Sequence, residues 1–259
     1  MDIVHAASEL WGNQHPAIPF LIGAIFGAIV GSYLATIAIR LPQGLSSVSG
    51  RSRCDHCDVE LASRDLLPLL GYWLNRGKCR NCGGKIDLLH QGIEWVAALL
   101  CGCAFTLSSL SSAFPVSLFM LLLVLLAALD FRHFWLPNKV VMLLAIAGLL
   151  LGGLAFGTSL MDRLIGGTAG FVSLFAVAWC YEKARGRKGM GGGDPKLLGA
   201  IGLWLGWAAL PIVVLIGASL AIIGTLVTTP RQKLARDTRL PFGAYLSLGS
   251  LAFSVWMMM

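Results

Sequence analysis

The sequence predicts an all-α polytopic membrane protein of about eight transmembrane helices, with one small polar module inserted between the first and the second. Three observations predict it. Hydrophobic residues make up 56% of the 259 and charged residues only 13%, at a mean hydropathy of +0.76, a balance under which a soluble domain would struggle to stay in solution. The apolar residues gather into runs close to the 20 or so needed to cross a bilayer, at 18–39, 92–110, 114–130, 138–156, 162–181, 195–209, 211–228 and 240–258. With the amino terminus outside, 19 of the 20 Lys and Arg fall on the inner loops and helix ends, Arg163 alone lying outside.

Taken in order, the first fifteen residues carry Asp2 and Glu9 but no Lys or Arg, so no signal peptide is expected and the first apolar run is retained. The net charge of +7 has no basic face to act through, because the basic residues sit between apolar runs; it reports topology, and no nucleic-acid partner is expected. The chain divides into 1–40, an outward terminus with the first helix; 41–91, a cytoplasmic metal-binding domain; and 92–259, a membrane domain.

Residues 41–91 hold Cys54-Asp55-His56-Cys57 and, after 21 intervening residues, Cys79-Arg80-Asn81-Cys82. Two Cys-x-x-Cys knuckles place four thiolates on one tetrahedral ion, so Cys54, Cys57, Cys79 and Cys82 are read as ligands of a structural Zn2+ in a zinc-ribbon-like fold, with His56 as a neighbour. Four cysteines close the ion's coordination, and no His-Glu-x-x-His occurs, so zinc-activated water is not expected. Asp55, Asp58, Glu60 and Asp65 either form a solvated face or steer a basic peptide to the module.

The second and third spans are expected to join at a tight turn around Ser111-Ser112-Ala113-Phe114-Pro115. The third then runs inward and ends at Asp130. Lys188-Gly189-Met190-Gly191-Gly192-Gly193-Asp194-Pro195-Lys196-Leu197 follows the fifth span and opens the sixth, which runs outward. Asp130 and Asp194 are therefore expected at one face of the membrane. Each has a plain reading on its own: Asp194 as an N-cap ahead of Pro195, Asp130 as an interfacial residue paired with Arg132 or Lys139. Together they are the minimum equipment of aspartic proteolysis, in which one carboxylate takes a proton from the attacking water while the other protonates the carbonyl oxygen. Helix dipoles suggest Asp194 as the base, at a helix start, and Asp130 as the acid, at a helix end.

Gly191, Gly192 and Gly193 are expected to let a substrate backbone approach the pair. Lys196 is expected either to hold charge near Asp194 and bind substrate or to reach for the interface. A proton- or cation-coupled transporter with a cytosolic zinc module is the alternative; its sites would lie near the bilayer midplane.

These residues resemble the type IV prepilin peptidase family, whose Gly-x-Gly-Asp signature is shared with presenilin-like proteases. The resemblance rests on Gly23 to Pro42, the four-cysteine loop with Leu67-Pro68-Leu69-Leu70-Gly71-Tyr72 and Arg76-Gly77-Lys78-Cys79, Asp130 with Leu136-Pro137, Gly191 to Leu197, and Leu240-Pro241-Phe242-Gly243-Ala244. It implies a multi-pass protein of the bacterial inner membrane. Its active site and zinc domain would face the cytoplasm, and it would cut the basic leader from prepilins or type II secretion pseudopilins. It also implies, for many members, methylation of the new amino terminus with S-adenosylmethionine. Ala35, Asp55 and Asn138 depart from the family's common Asn, Pro and Asp.

Overall fold

The computed structural model describes residues 15–45, 52–54, 56–187, 189–228 and 240–259, with the side chains of Ser63 and Thr228 left aside. Asp2, Glu9, Asp55, Lys188 and the basic loop through Arg231 and Arg239 lie outside the described residues. Among the described residues, eight long helices follow one another: α1 (Ala17–Arg40), α2 (Leu88–Leu107), α3 (Leu110–His133), α4 (Asn138–Phe156), α5 (Leu160–Arg185), α6 (Gly193–Leu205), α7 (Leu210–Thr228) and α8 (Phe242–Met258). Between α1 and α2 the described residues form single helical turns and two isolated β-bridges, Arg53 with Glu60 and Lys78 with Lys85. Six of the helical segments are long and apolar enough to cross a membrane. The chain is an all-α integral membrane protein.

Two departures from the expected boundaries matter. The α2–α3 turn sits at Ser108 and Ser109, not at 111–115, and Pro115 lies inside α3. Ser109 takes the extended N-cap conformation, so the serine run that reads as a turn serves instead as a helix start. The second is α6, only 13 residues long. At 1.5 Å per residue it spans roughly 20 Å, short of the roughly 30 Å hydrocarbon core.

Contacts between helix ends sort the bundle into two faces. At one, Arg40 donates to the Arg53 carbonyl, Arg132 pairs with Asp87, Lys196 donates to Asn138, and the Ala244 N–H reaches Asp130. At the other, Ser112 donates to the Leu154 carbonyl, Ser108 contacts Met258 and Thr158 donates to the Trp204 carbonyl. The cysteine module and both carboxylates share the first face.

α3 is the axle of the bundle. It is apolar on every side, as a fully surrounded helix must be, and is almost wholly buried from Val116 to Asp130 against α1, α2, α4 and α8. The flanking pairs close by small residues. Gly23, Gly27 and Gly31 of α1 ride on α2, where a side chain at Gly27 would meet the Ala97 carbonyl at 2.3 Å. Gly202 of α6 meets the Gly166 carbonyl of α5 in the same way, at 2.2 Å. Without water to drive helices together, such close backbone approach is a principal source of cohesion.

Candidate active site

Asp130 is where the apolar length of α3 ends. Four residues later Phe134 turns left-handed at φ +51° and stops the helix, and Leu136-Pro137 leads into α4. Asp194 is the second residue of α6: Gly192 holds the N-cap position, and Pro195 sits third in the helix. Asp194 therefore is not the cap that the sequence allows. Its carboxyl instead faces the N–H groups of Gly191, just before the helix, and of Gly243.

Both carboxylates are buried, each only 6% exposed. The start of α8 lies between them. A methyl carbon built on Gly243 would stand 3.0 Å from Asp194 Oδ1, 3.1 Å from Asp130 Oδ2 and 2.7 Å from Leu136 Cδ1. Two carboxyl oxygens from opposed helices thus converge on one point, and only a glycine leaves it open. The Ala244 N–H donates to Asp130 Oδ2 at 2.8 Å, and the Gly243 N–H faces both carboxyls.

This arrangement removes the basis for ranking the two acids by helix dipole. That reasoning gave each carboxylate one helix end, whereas the fold brings a third, the positive start of α8, against Asp130. Arg132, which the sequence offered as a partner for Asp130, instead pairs with Asp87 at the start of α2.

The glycine run is less uniform than its composition suggests. None of Gly191, Gly192 and Gly193 has positive φ. A side chain at Gly193 would press Leu136 at 3.0 Å, one at Gly191 would touch Asp194 Oδ2 at 3.4 Å, and one at Gly192 would meet nothing. Gly193 is thus required by packing beneath the pair, and Gly191 lies against it. Lys196 Nζ donates to Asn138 Oδ1 at 2.9 Å, binding the first turn of α6 to the start of α4. The residues that sequence reasoning left without a role are Gly243, Ala244 and Leu136. Their motifs were visible as Leu136-Pro137 and Leu240 to Ala244, but nothing local showed that they meet at the carboxylates.

The cysteine module is built by repetition. In each knuckle the first cysteine's N–H bonds a carbonyl five residues on, and its own carbonyl accepts from the residue four on: Cys54 with Val59 and Asp58, Cys79 with Gly84 and Gly83. Asp58 and Gly83, at matching positions, both have positive φ, at 53° and 71°. The four sulfurs lie within 4.8 Å of one another, Cys54 and Cys82 at 3.9 Å. A tetrahedral Zn2+ with bonds of about 2.3 Å sets neighbouring sulfurs about 3.8 Å apart, so the four could hold such an ion.

Second hydrogen bonds fit a thiolate set: the His56 N–H to Cys54 Sγ, the Gly84 N–H to Cys82 Sγ and Asn81 Nδ2 to Cys57 Sγ. The Val59 N–H, with the Asn81 amide, draws the Cys57 thiol down to about 6. His56 is no ligand; its ring lies against Gly84, and Nε2 meets the Lys85 carbonyl at 3.2 Å. Asp58 and Glu60 pair with Arg53, and Asp65 with Arg80, so these three acidic residues are engaged within the module.

Comparison with known proteins agrees with this geometry over both halves. Residues 25–108 match the bacterial peptidase A24 N-terminal domain, and residues 117–226 match the type IV leader peptidase family. A prepilin leader peptidase/N-methyltransferase of Burkholderia pseudomallei (strain 1026b) is 34% identical over 255 residues, covering 88% of this chain and 82% of its own. Proteins of the same name from Dickeya chrysanthemi and Stutzerimonas stutzeri are 32% and 28% identical, covering 96% and 94% of this chain and 94% and 92% of their own. No solved structure matches the chain.

Proposed function

The chain belongs to the type IV leader peptidase family, and from that premise we propose that Asp130 and Asp194 are the catalytic pair with which it removes the basic leader from type IV prepilins or type II secretion pseudopilins. The observation that carries the assignment is the convergence of the two carboxyl oxygens on the open point beside Gly243. A water held there lies in reach of both acids. One takes its proton as it attacks the peptide carbonyl, the other protonates the carbonyl oxygen, and the roles exchange as the tetrahedral intermediate breaks down. Two acids this close share a proton and titrate as a unit. Gly191 and Gly193 keep the floor beneath the pair low, and Lys196 fixes the turn that carries Asp194.

The cut lies at the cytoplasmic face of the bacterial inner membrane. The support is the Lys and Arg sorting, which puts the face bearing the dyad and module inside. The metal of the module is Zn2+ in a structural role: four thiolates close the site, and about fifty residues cannot build an adequate core without such a staple. Residues 1–40, 41–91 and 92–259 act as entry helix, zinc domain and peptidase domain. The name carried by the relatives further supports methylation of the new amino terminus, with S-adenosylmethionine as donor. The transporter reading has no support: the family is hydrolytic, and both acids stand at helix ends.

The test is cleavage of a prepilin-like peptide by purified enzyme. Asp130→Asn and Asp194→Asn each remove a titrating group while sparing shape, and each should lower the rate by about 10²–10⁴-fold, the usual worth of a positioned acid or base. Full activity in either variant removes that residue from the mechanism.

A further inference from the structure

Tyr245 stands one residue past the N–H that holds the dyad. Ala244 donates to Asp130 Oδ2 at 2.8 Å, Tyr245 follows Ala244 on α8, and Phe131 follows Asp130 on α3. The two aromatic rings meet edge to face, their centroids 5.3 Å apart and their planes at 78°, a favoured arrangement for such a pair. Hydrogen bond and ring contact are thus successive rungs between the last turn of α3 and the first turn of α8.

α7 fixes where that ring can lie. Gly217, Ala221 and Gly224 follow one another at intervals of four and three residues and so share one side of α7. A side chain at Gly217 would meet the Tyr245 carbonyl oxygen at 3.0 Å, and one at Gly224 would meet the Tyr245 hydroxyl at 2.5 Å and the ring carbon that bears it at 3.1 Å. One turn further along α8, a side chain at Gly249 would meet the Val213 carbonyl at 2.7 Å. α7 therefore closes on the backbone of α8 at Gly217 and on the end of the Tyr245 ring at Gly224. A phenol ring does not bend, so a push at its hydroxyl is passed to Phe131 and to the backbone that carries it.

We propose that Tyr245 is a positioning residue for peptide cleavage: held between Gly224 of α7 and Phe131 of α3, its ring sets the register at which the start of α8 presents the Gly243 and Ala244 N–H groups to the carboxyl pair. This role rests on the assignment of Asp130 and Asp194 as the catalytic pair. A slide of α8 by an ångström carries the Ala244 N–H away from Asp130 and displaces Gly243, beside which both carboxyl oxygens converge. Misplacement on that scale costs about 10²-fold in rate. α7 thus acts on the dyad through a ring that it does not carry.

The test follows cleavage of a prepilin-like peptide by the full-length protein in lipid nanodiscs, with kcat, KM and the pH–rate profile measured for each variant. Tyr245→Leu, which removes the ring, should lower kcat by about tenfold or more at nearly constant KM, whereas Tyr245→Phe, which keeps the ring, should hold the wild-type rate. Gly224→Ala should impose a similar loss from α7, because its methyl meets the hydroxyl, and Gly224→Ala/Tyr245→Phe, which takes that hydroxyl away, should recover most of it. The pH–rate profiles of Tyr245→Leu and Gly224→Ala should also move along the pH axis, since the N–H groups that face Asp130 and Asp194 have shifted; a smaller folded fraction would scale the profile without moving it. Among the described residues Asp194 is the titratable group that faces Asp130, and Arg132 is turned to Asp87. Should Tyr245→Leu fail to fold, the two Gly224 variants decide. Wild-type kcat in Gly224→Ala, or a loss with an unmoved profile and no recovery in the double variant, overturns the positioning role. Full activity in Asp130→Asn or Asp194→Asn overturns instead the assignment on which it rests.

Discussion

The cysteine module and the carboxylate pair are both made of four or fewer side chains, yet they are assembled in opposite ways. The module's ligands come from two knuckles of the same local design, each completed within six residues by its own hydrogen bonds. The pair depends on three helices whose contributing residues, Asp130, Asp194 and Gly243, are far apart in sequence and meet only when α3, α6 and α8 are packed. A local site tolerates change elsewhere in the chain, whereas a site made by packing registers any change at the helix contacts that define it.

The sharpest way to break this contrast is Gly243→Ala. The added methyl would occupy the point shared by both carboxyl oxygens and press Leu136, so cleavage should fall by about 10²-fold or more, the cost of misplacing reacting groups by an ångström. Metal content, measured by atomic absorption, should be unchanged. Retained cleavage would show that the open point is not where water sits.

Removing the metal tests the other half. A strong chelator, or Cys54→Ser, should unfold the module and expose the remaining knuckle thiols to alkylation, since ligand and fold are coupled in sites of this kind. Cleavage should fall by a smaller factor than in Gly243→Ala, because among the described residues the ion pair that ties the module to the Asp130 end of α3 is Asp87–Arg132, which leaves the carboxyls themselves untouched. Because unfolding also breaks the Val59 N–H bond that draws the Cys57 thiol down to about 6, the knuckle thiols of the metal-free protein should label with the pH profile of an ordinary thiol near about 8.5, still climbing above about pH 7.

Smaller effects sharpen the comparison. Arg132→Gln should reduce cleavage roughly fivefold at most, because a partly exposed ion pair is worth about 1 kcal/mol or less. Lys196→Ala, which loses one exposed hydrogen bond to Asn138, should do less still, mainly loosening the first turn of α6. A loss larger than that of Gly243→Ala would give Lys196 a direct part in the chemistry.

How much of this was legible in the sequence follows the same division. The clustering of the four cysteines could be read from spacing alone, because the knuckle geometry is set by neighbours in the chain. The eight helices and their alternating directions were legible from apolar runs and from the placement of Lys and Arg, and these sufficed to put Asp130 and Asp194 on one face. The α2–α3 turn was misplaced because Ser109 to Ser112 suit a helix start as well as a turn. Asp194 looked like a cap because Pro195 favours the first helical position, yet the glycines let the helix begin a residue before Asp194. Gly243 was beyond reach: nothing within its own segment reveals that two acids from other helices leave room for no side chain there.

The central claim is that Asp130 and Asp194 face each other closely enough to hold one water. It is tested most directly by Asp130→Cys/Asp194→Cys in a background where Cys101, Cys103 and Cys180 are serine, treated in native membranes with a short bifunctional thiol reagent. The account predicts a rapid cross-link between the two new cysteines, blocked by a prepilin-like peptide. Efficient labelling of each cysteine alone with no cross-link between them would contradict it.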